Sequence, residues 1–323
     1  MTDLGTEPVA SSGAAARVLS YLEEATWVLG AFDHLVRSGA LSGDALTLQT
    51  REDEAAARML AAVGLVVGDD RPQLANGLVE LLSDGSLNTR RQAVISTLGQ
   101  VATSMGIVAG RGGEGWAAQD DDTLLAQGRS SALGGQMLAT YAIPTLDGLS
   151  ERFVAGGDFL DVGVGVAELA AAFCEAMPNA RVVGIDVLPR ALALAQQTIT
   201  ARGLGDRLEV RLLAVQELTD AAKFDLAWMP APFLPEDVFP VGLRRVHDAL
   251  RAGGWLIVGA GRFDDDALAV AVTRWKTLRS GGTPLTPDEA RTSLDRAGYV
   301  EIEELPTPPG APALYAARKK PST

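Results

Sequence analysis

The sequence predicts an α/β protein: a doubly wound, mostly parallel seven-stranded sheet that follows a mainly helical, winged-helix-like N-terminal domain. Three observations carry this expectation. From about residue 151 onward, apolar runs of strand length alternate with helical patterns. The first run, Phe159-Leu160-Asp161-Val162, passes through Gly163-Val164-Gly165 straight into a helical pattern. Before residue 110 the apolar residues instead recur at helical spacing, with one strand-like stretch. A chain of 323 residues with 47% hydrophobic content is long enough for two such domains.

Residues 1–15, rich in Ser, Gly and Ala, read as a flexible tail. Val18 to Val36 carries Leu19, Leu22, Trp27, Val28, Phe32 and Leu35 at helical spacing, and Gly39 is placed to end that helix. Glu52 to Val63 reads as a second amphipathic helix, and Gly64 to Asp70 as a short strand entering a turn. Residues 16–110 thus form the winged-helix-like domain. Further helices are expected over Leu87 to Met105, Asp122 to Thr140 and, with proline in its first turn, Pro144 to Arg152. Arg111-Gly112-Gly113-Glu114-Gly115 separates the first two as a flexible connection, since it lacks the Gly-Lys-Ser/Thr ending of a phosphate loop. Residues 111–150 read as a helical linker to the α/β domain, residues 151–323.

In that domain Asp161 lies inside an apolar strand, where a carboxylate is costly without a task. The two glycines after it allow a sharp turn and a close approach of backbone to ligand. A second apolar run, Arg181 to Asp186, ends in an acid at the carboxyl end of a strand, where an open parallel sheet binds ligands and where an acid suits ribose hydroxyls. Between them, Cys174 in the helix Leu169 to Met177 reads as a small buried hydrophobe. The third strand is Leu208 to Leu213, and the fourth is Phe224 to Met229 with the exit loop Pro230 to Pro235. A helix from Val238 to Leu250 ends at Arg251-Ala252-Gly253-Gly254, ahead of the fifth strand, Trp255 to Val258, and a helix from Asp264 to Leu278. Thr286-Pro287-Asp288-Glu289 is a capping box that starts a helix running to Ala297-Gly298. Strands Val300 to Leu305 and Ala313 to Ala317 close the sheet as a hairpin, with only the last strand antiparallel.

A formal charge of −13 with no clustered basic stripe argues against nucleic acid as a partner. The segment Arg51 to Arg58, where a recognition helix would lie, holds three acids against two arginines. The single cysteine excludes an intramolecular disulfide, and Met1-Thr2-Asp3 lacks the features of a signal peptide, so the cytoplasm is expected. No apolar run reaches the length of a membrane span, and no membrane partner is expected.

Asp161, Gly163 and Gly165 resemble the first motif of the class I S-adenosylmethionine-dependent methyltransferases, and the resemblance extends over about residues 150 to 318. It implies a methyltransferase-type Rossmann sheet with S-adenosyl-L-methionine as cofactor. Gly163 and Gly165 would approach the methionine part and Asp186 would bind the ribose diol, with Val164, Val187, Val215, Gln216 and Met229 completing the cofactor site. Ala167 stands where a third glycine is usual, and Ala214-Val215-Gln216 replaces the acid that the family often uses for the adenine amino group. In the family the N-terminal domain usually supports dimerisation and helps close the substrate pocket, so a homodimer is expected. Related enzymes often fold a helix over the cofactor, which makes residues 111–150 a cofactor lid as well as a linker and Arg129 and Tyr141 candidate lid residues, with surface and core placements as the alternatives. A dinucleotide site is the competing reading, but it requires glycine where Glu168 stands.

The chemistry of methyl transfer requires alignment and exclusion of water rather than a metal. No metal site is expected, because the acids have no histidine cluster beside them. The neighbourhood after the fourth strand, Pro230-Ala231-Pro232, has no histidine, and Met229-Pro230-Ala231-Pro232-Phe233 lacks the Asn or Asp head seen in amino-group methyltransferases. His247 reads as part of a solvated helix face, and nothing requires His34 to act. Glu236, Asp237 and Asp264 to Asp266 read as solvated or capping acids, so no catalytic base is named. Trp228, Phe233 and Tyr141 are the candidate substrate-lining residues, with a core role as the alternative for the strand-end positions. The expected function is methyl transfer to a small molecule of specialised metabolism. The alternatives are a binding protein of the same fold acting as scaffold, regulator or rearrangement catalyst, and a winged-helix DNA regulator.

Overall fold

The computed structural model describes residues 25–41, 46–68, 72–75, 87–108, 115–261, 267–307 and 312–322. The chain divides into two compact units, residues 1–98 and 99–323. The expected tail, the start of the first helix, most of the glycine connection at 111–115 and the acids Asp264 to Asp266 lie outside the described residues.

In the first unit, α1 (25–37) and α2 (Arg51–Ala62) share a core of Leu35, Val36, Leu41, Ala57, Leu60 and Val66. Thr50 caps α2: its hydroxyl accepts from the Asp53 amide at 3.0 Å, and the Asp53 carboxylate accepts from the Thr50 amide at 2.9 Å. That carboxylate also accepts from the Gln49 amide at 3.0 Å and lies 2.8 Å from His34 Nε2. The expected strand is a two-residue piece, β1 (Val66–Val67), paired antiparallel with β2 (Gln73–Leu74). Helix α3 (Leu87–Val108) follows.

The second unit begins within α3, at residue 99; there follow a short helical turn, Trp116–Ala118, and α4 (Asp121–Met137), which Asp120 caps by accepting from the Thr123 amide at 2.7 Å. Contrary to expectation, no new helix starts at Pro144. The chain passes from α4 through a π turn, Leu138–Ala142, into Ile143–Thr145, so Pro144 sits inside a helical run. The wider turn accommodates a residue that has no N–H to continue the ladder. The next helix, α5 (Leu149–Val154), begins instead after Gly148, whose φ of +76° reverses the chain.

The sheet is then laid down in order: β3 (Asp158–Val162), α6 (Glu168–Ala176), β4 (Arg181–Asp186), α7 (Pro189–Ala201), β5 (Leu208–Leu212), β6 (Phe224–Pro230), α8 (Phe239–Ala249) and β7 (Leu250–Gly259). Helices α9 (Ala267–Arg279) and α10 (Pro287–Arg296) precede β8 (Val300–Leu305) and β9 (Leu314–Arg318). The spatial order is β5-β4-β3-β6-β7-β9-β8, parallel except for β9, which runs antiparallel to both neighbours. Strand β7 starts earlier than its apolar run implies. Leu250 already pairs with Phe224, and the register shifts before Leu226 meets Trp255, a bulge that Gly253 permits with φ +72°. Thr286 and Glu289 form the expected capping box at α10.

Apolar side chains fill both faces of the sheet. Phe159, Leu226, Ile257 and Ala316 pack against α5, α6 and α7 on one side, and Leu160, Ala227, Leu256 and Tyr315 against α8 and α10 on the other. Helix α4 comes unusually close to α6, because Gly135 leaves no room for a side chain against the Leu169 carbonyl. Cys174 is fully buried in α6, and burial pushes its thiol up to about 11, as a structural hydrophobe requires.

Candidate functional site

The carboxyl ends of β3, β4 and β6 open into a cavity of about 370 Å³, lying wholly within the second unit. Its floor is the turn between β3 and α6. Gly163 and Gly165 adopt φ of +74° and +55°, and the amides of Gly163 and Val164 donate to the Ile185 carbonyl at 2.9 and 3.0 Å, binding the turn across β4. Gly184 makes this crossing possible, since any side chain there would strike Val164. Ala167, in the place of a third glycine, is itself held at φ +64°, so the backbone keeps the glycine geometry without the glycine.

Two carboxylates face this cavity. Asp186 accepts from the Gly165 amide at 2.8 Å and from the Leu188 amide at 2.9 Å, which fixes it against the turn. Burial raises its pKa against the lowering effect of those amides. Asp161 is 2% exposed, and its Oδ2 has no hydrogen-bond partner among the described residues. Burial, and secondarily the charge of Asp186, raise its pKa well above the ordinary carboxylate range. An unpartnered buried oxygen on a cavity wall marks a place for a donor from outside the chain.

Asp161, Gly163, Val164, Gly165, Asp186, Val187 and Val215 all line the cavity, as do Trp228 and Phe233. Three expected residues do not. Met229 is fully buried on the opposite face of β6, against Gly242 of α8, because neighbouring strand residues point to opposite sides and Trp228 takes the cavity side. Gln216 is exposed on the turn after β5, where only its carbonyl is engaged, by Arg245 at 3.1 Å. Tyr141 lies in the π turn. The α4 residues that line the cavity, Leu124, Gln127, Gly128 and Ser131, sit about 15 to 25 Å farther back along the axis at 1.5 Å per residue. Arg129 is likewise exposed rather than in the wall.

Of the roof residues, Phe233 was expected to line the site, and Trp116, Ser280 and Gly281 were not. Trp116 and Phe233 meet with ring centroids 5.1 Å apart, and the Trp116 indole N–H is buried without a partner among the described residues. Ser280 and Gly281 close the same side. The small residues Gly128 and Ser131, one turn apart on α4, leave room where that helix passes over the turn, Gly128 having no space for a side chain beside Val166. Trp116 and Ser280 carried no periodic signal.

Glu168, whose carboxylate would crowd a pyrophosphate, is buried and paired with Arg202. His247 packs edge-on against Tyr299 at 5.0 Å, half-buried rather than solvated, and its pKa is lowered first by burial. His34 belongs to the α2 cap. Neither lines the cavity, and Glu236 and Asp237 are exposed. Among the described residues no group of three or more potential ligands is placed to hold a metal, and no helix is long and apolar enough to cross a membrane.

A family described as "Methyltransferase domain" matches residues 159–254. The release factor glutamine methyltransferase of Cereibacter sphaeroides is 30% identical over 187 residues, which span 54% of this chain and 65% of that enzyme, just under two thirds of its length. Among solved structures, the mitomycin 7-O-methyltransferase MmcR superposes with a TM-score of 0.66 at 20% identity, covering 96% of this chain and 99% of that one. Human N-acetylserotonin methyltransferase in complex with SAM gives a TM-score of 0.66 at 14% identity, covering 98% and 100%. PigF with SAH gives 0.59 at 19% identity, covering 96% and 99%. The glycine turn, the acid-ended second strand and the strand order agree with the family match: residues 159–254 carry a methyltransferase domain.

Proposed function

We propose that the protein transfers a methyl group from S-adenosyl-L-methionine to a small-molecule acceptor of specialised metabolism. The observation that carries this reading is the pair of carboxylates, Asp161 with its unpartnered oxygen and Asp186 beside it, facing a turn whose glycines approach without side chains. A cationic, partly apolar ligand fits that combination: the acids meet its positive groups and ribose hydroxyls, while Val187, Leu213 and Val215 provide an apolar wall. When bound, the cofactor supplies an activated methyl group with a neutral leaving group. The chain's own residues orient and desolvate. Gly163, Val164 and Gly165 hold the ligand's depth, while Trp228 and Phe233 flank the position of an aromatic acceptor and keep water out. The relatives' names describe O-methyl and glutamine methyl transfer, and an oxygen acceptor agrees with the lack of an Asn or Asp head at Met229.

Calorimetry with S-adenosylhomocysteine tests this reading. The expected result is micromolar binding by the wild type, lost in Asp186→Ala with an unchanged circular dichroism spectrum; retained affinity in the variant overturns the site. The second reading, cofactor binding without transfer, is favoured by one observation: no histidine lines the cavity. Labelled cofactor with a panel of phenols and carboxylic acids separates the two, since bound cofactor without labelled product supports the second. We further assign dimerisation to residues 16–110 and the cytoplasm as the location; a monomeric sedimentation coefficient would overturn the former.

A further inference from the structure

Beside the large cavity lies a small one of about 50 Å³, whose wall includes Thr103, Gly115, Gln119, Lys276, Arg279 and Ser280. Lys276 and Arg279 are three residues apart on α9, so two cations stand together on one helical face. The Nε and Nη2 groups of Arg279 are shielded from water and donate to nothing among the described residues. Burial lowers the pKa of Lys276, and no carboxylate among the described residues offsets it. Other arginines of the unit meet an acid: Arg152 meets Asp225, Arg211 meets Asp220, Arg251 meets Asp158 and Arg318 meets Asp147. The helix dipole accounts for cations in the last turn of α9, but not for guanidinium donors removed from water without an acceptor.

We propose that this small cavity binds a carboxylate, and that the carboxylate belongs to the molecule that accepts the methyl group. Nε and Nη2 form one edge of the guanidinium, the edge that two carboxylate oxygens meet side-on, and Lys276 adds a second charge. The two cavities adjoin. Ser280 lines both, and the turn at Trp116–Ala118 divides them, with Trp116 and Ala117 on the large side and Gly115 and Gln119 on the small side. Among the described residues the titratable side chains lining the large cavity are Asp161 and Asp186, and no cation there could hold a carboxylate. An acidic acceptor therefore has its reactive end opposite the carboxylates and its anion next door, against the cations. The inference rests on the methyl-transfer reading for the acceptor's identity as substrate, while the anion site itself stands on Arg279 and Lys276.

Calorimetry with matched hydroxybenzoates and hydroxynaphthoates and their carboxamides tests it on the full chain. At least one acid is expected to bind the wild type about tenfold more tightly than its amide, with the preference reduced to about twofold or less in Arg279→Met and in Lys276→Met. Should Arg279→Met fail to fold, Lys276→Met carries the comparison. No acid preferred over its amide in the wild type, or a preference that survives in the folded variants, overturns the proposal. S-adenosylhomocysteine binding is measured in parallel and should be unaltered in both variants. Its absence from the wild type would sink the methyl-transfer reading, while the acid-against-amide comparison still decides the anion site.

Discussion

Asp161 illustrates how much a single residue reveals. Its raised pKa means that the folded protein favours the protonated form, so its share of stability is complete below the ordinary carboxyl value and is lost as pH rises through the folded value. Asp161→Asn, neutral at every pH, is therefore expected to melt at or above the wild-type temperature at pH 8 without ligand, while binding S-adenosylhomocysteine about tenfold more weakly. A lower melting temperature would show that the ionised acid stabilises the empty fold. Asp53 has the opposite sign. The Gln49 amide first, then Thr50 and His34, hold its pKa down at about 2 against the usual 3.8. Its contribution is present above pH 3.8 and is lost as pH falls through about 2, so Asp53→Ala should lower stability at pH 6 by more than at pH 2 in denaturant titrations. At Ala167, relief of a left-handed alanine is worth about 1–2 kcal/mol, against about 0.5–1 kcal/mol for the greater freedom of unfolded glycine. Ala167→Gly is thus expected to stabilise slightly, by up to about 1 kcal/mol in urea unfolding.

Among the elements, legibility followed the strength of the local signal. The box at Thr286 was read because Glu stands at its third position after a proline; the equivalent box at Thr50 was not, because its partner is Asp53 and acids crowd the whole first turn of α2. The core strands were legible because both faces of the sheet are covered and their apolar runs are continuous. The start of β7 was hidden by Arg251-Ala252-Gly253-Gly254, which looks like a stop and is in fact a bulge. Proline at 144 indicated a helix start by local rule, and the π turn overrode it. The cavity floor was legible because the glycine turn is contiguous in sequence. Of its roof only Phe233 was read, because Trp116 and Ser280 join it only through tertiary packing. Helix α4 also makes a prediction at this scale: Gly135→Val, placed against the Leu169 carbonyl, should cost about 1–3 kcal/mol by overpacking and loosen the roof, read as a lower melting temperature together with weaker cofactor binding.

Across the second unit, charge is distributed by function. At the amino ends of the strands, away from the cavity, Asp225 accepts from Arg152 at 3.0 Å and from the Asp158 amide at 2.9 Å, and it also pairs with Arg251, which holds Asp158 at 2.7 Å. These groups tie β3, β6, β7 and α5 together at one end of the sheet. Asp225→Ala removes the acid that two half-exposed guanidiniums share, and since Arg251 keeps Asp158 and Arg152 keeps the Ala252 carbonyl, a loss of about 1–3 kcal/mol is expected in chemical unfolding. The carboxyl ends carry no comparable clasp; there the acids are left for a ligand. Anchoring and chemistry thus occupy opposite poles of one scaffold. Exchanges at Phe233 or Ser280, neither of them in the core, should therefore redirect which compound is accepted at little expense in melting temperature, giving a lineage built on this frame freedom to diversify its products without first acquiring compensating repairs.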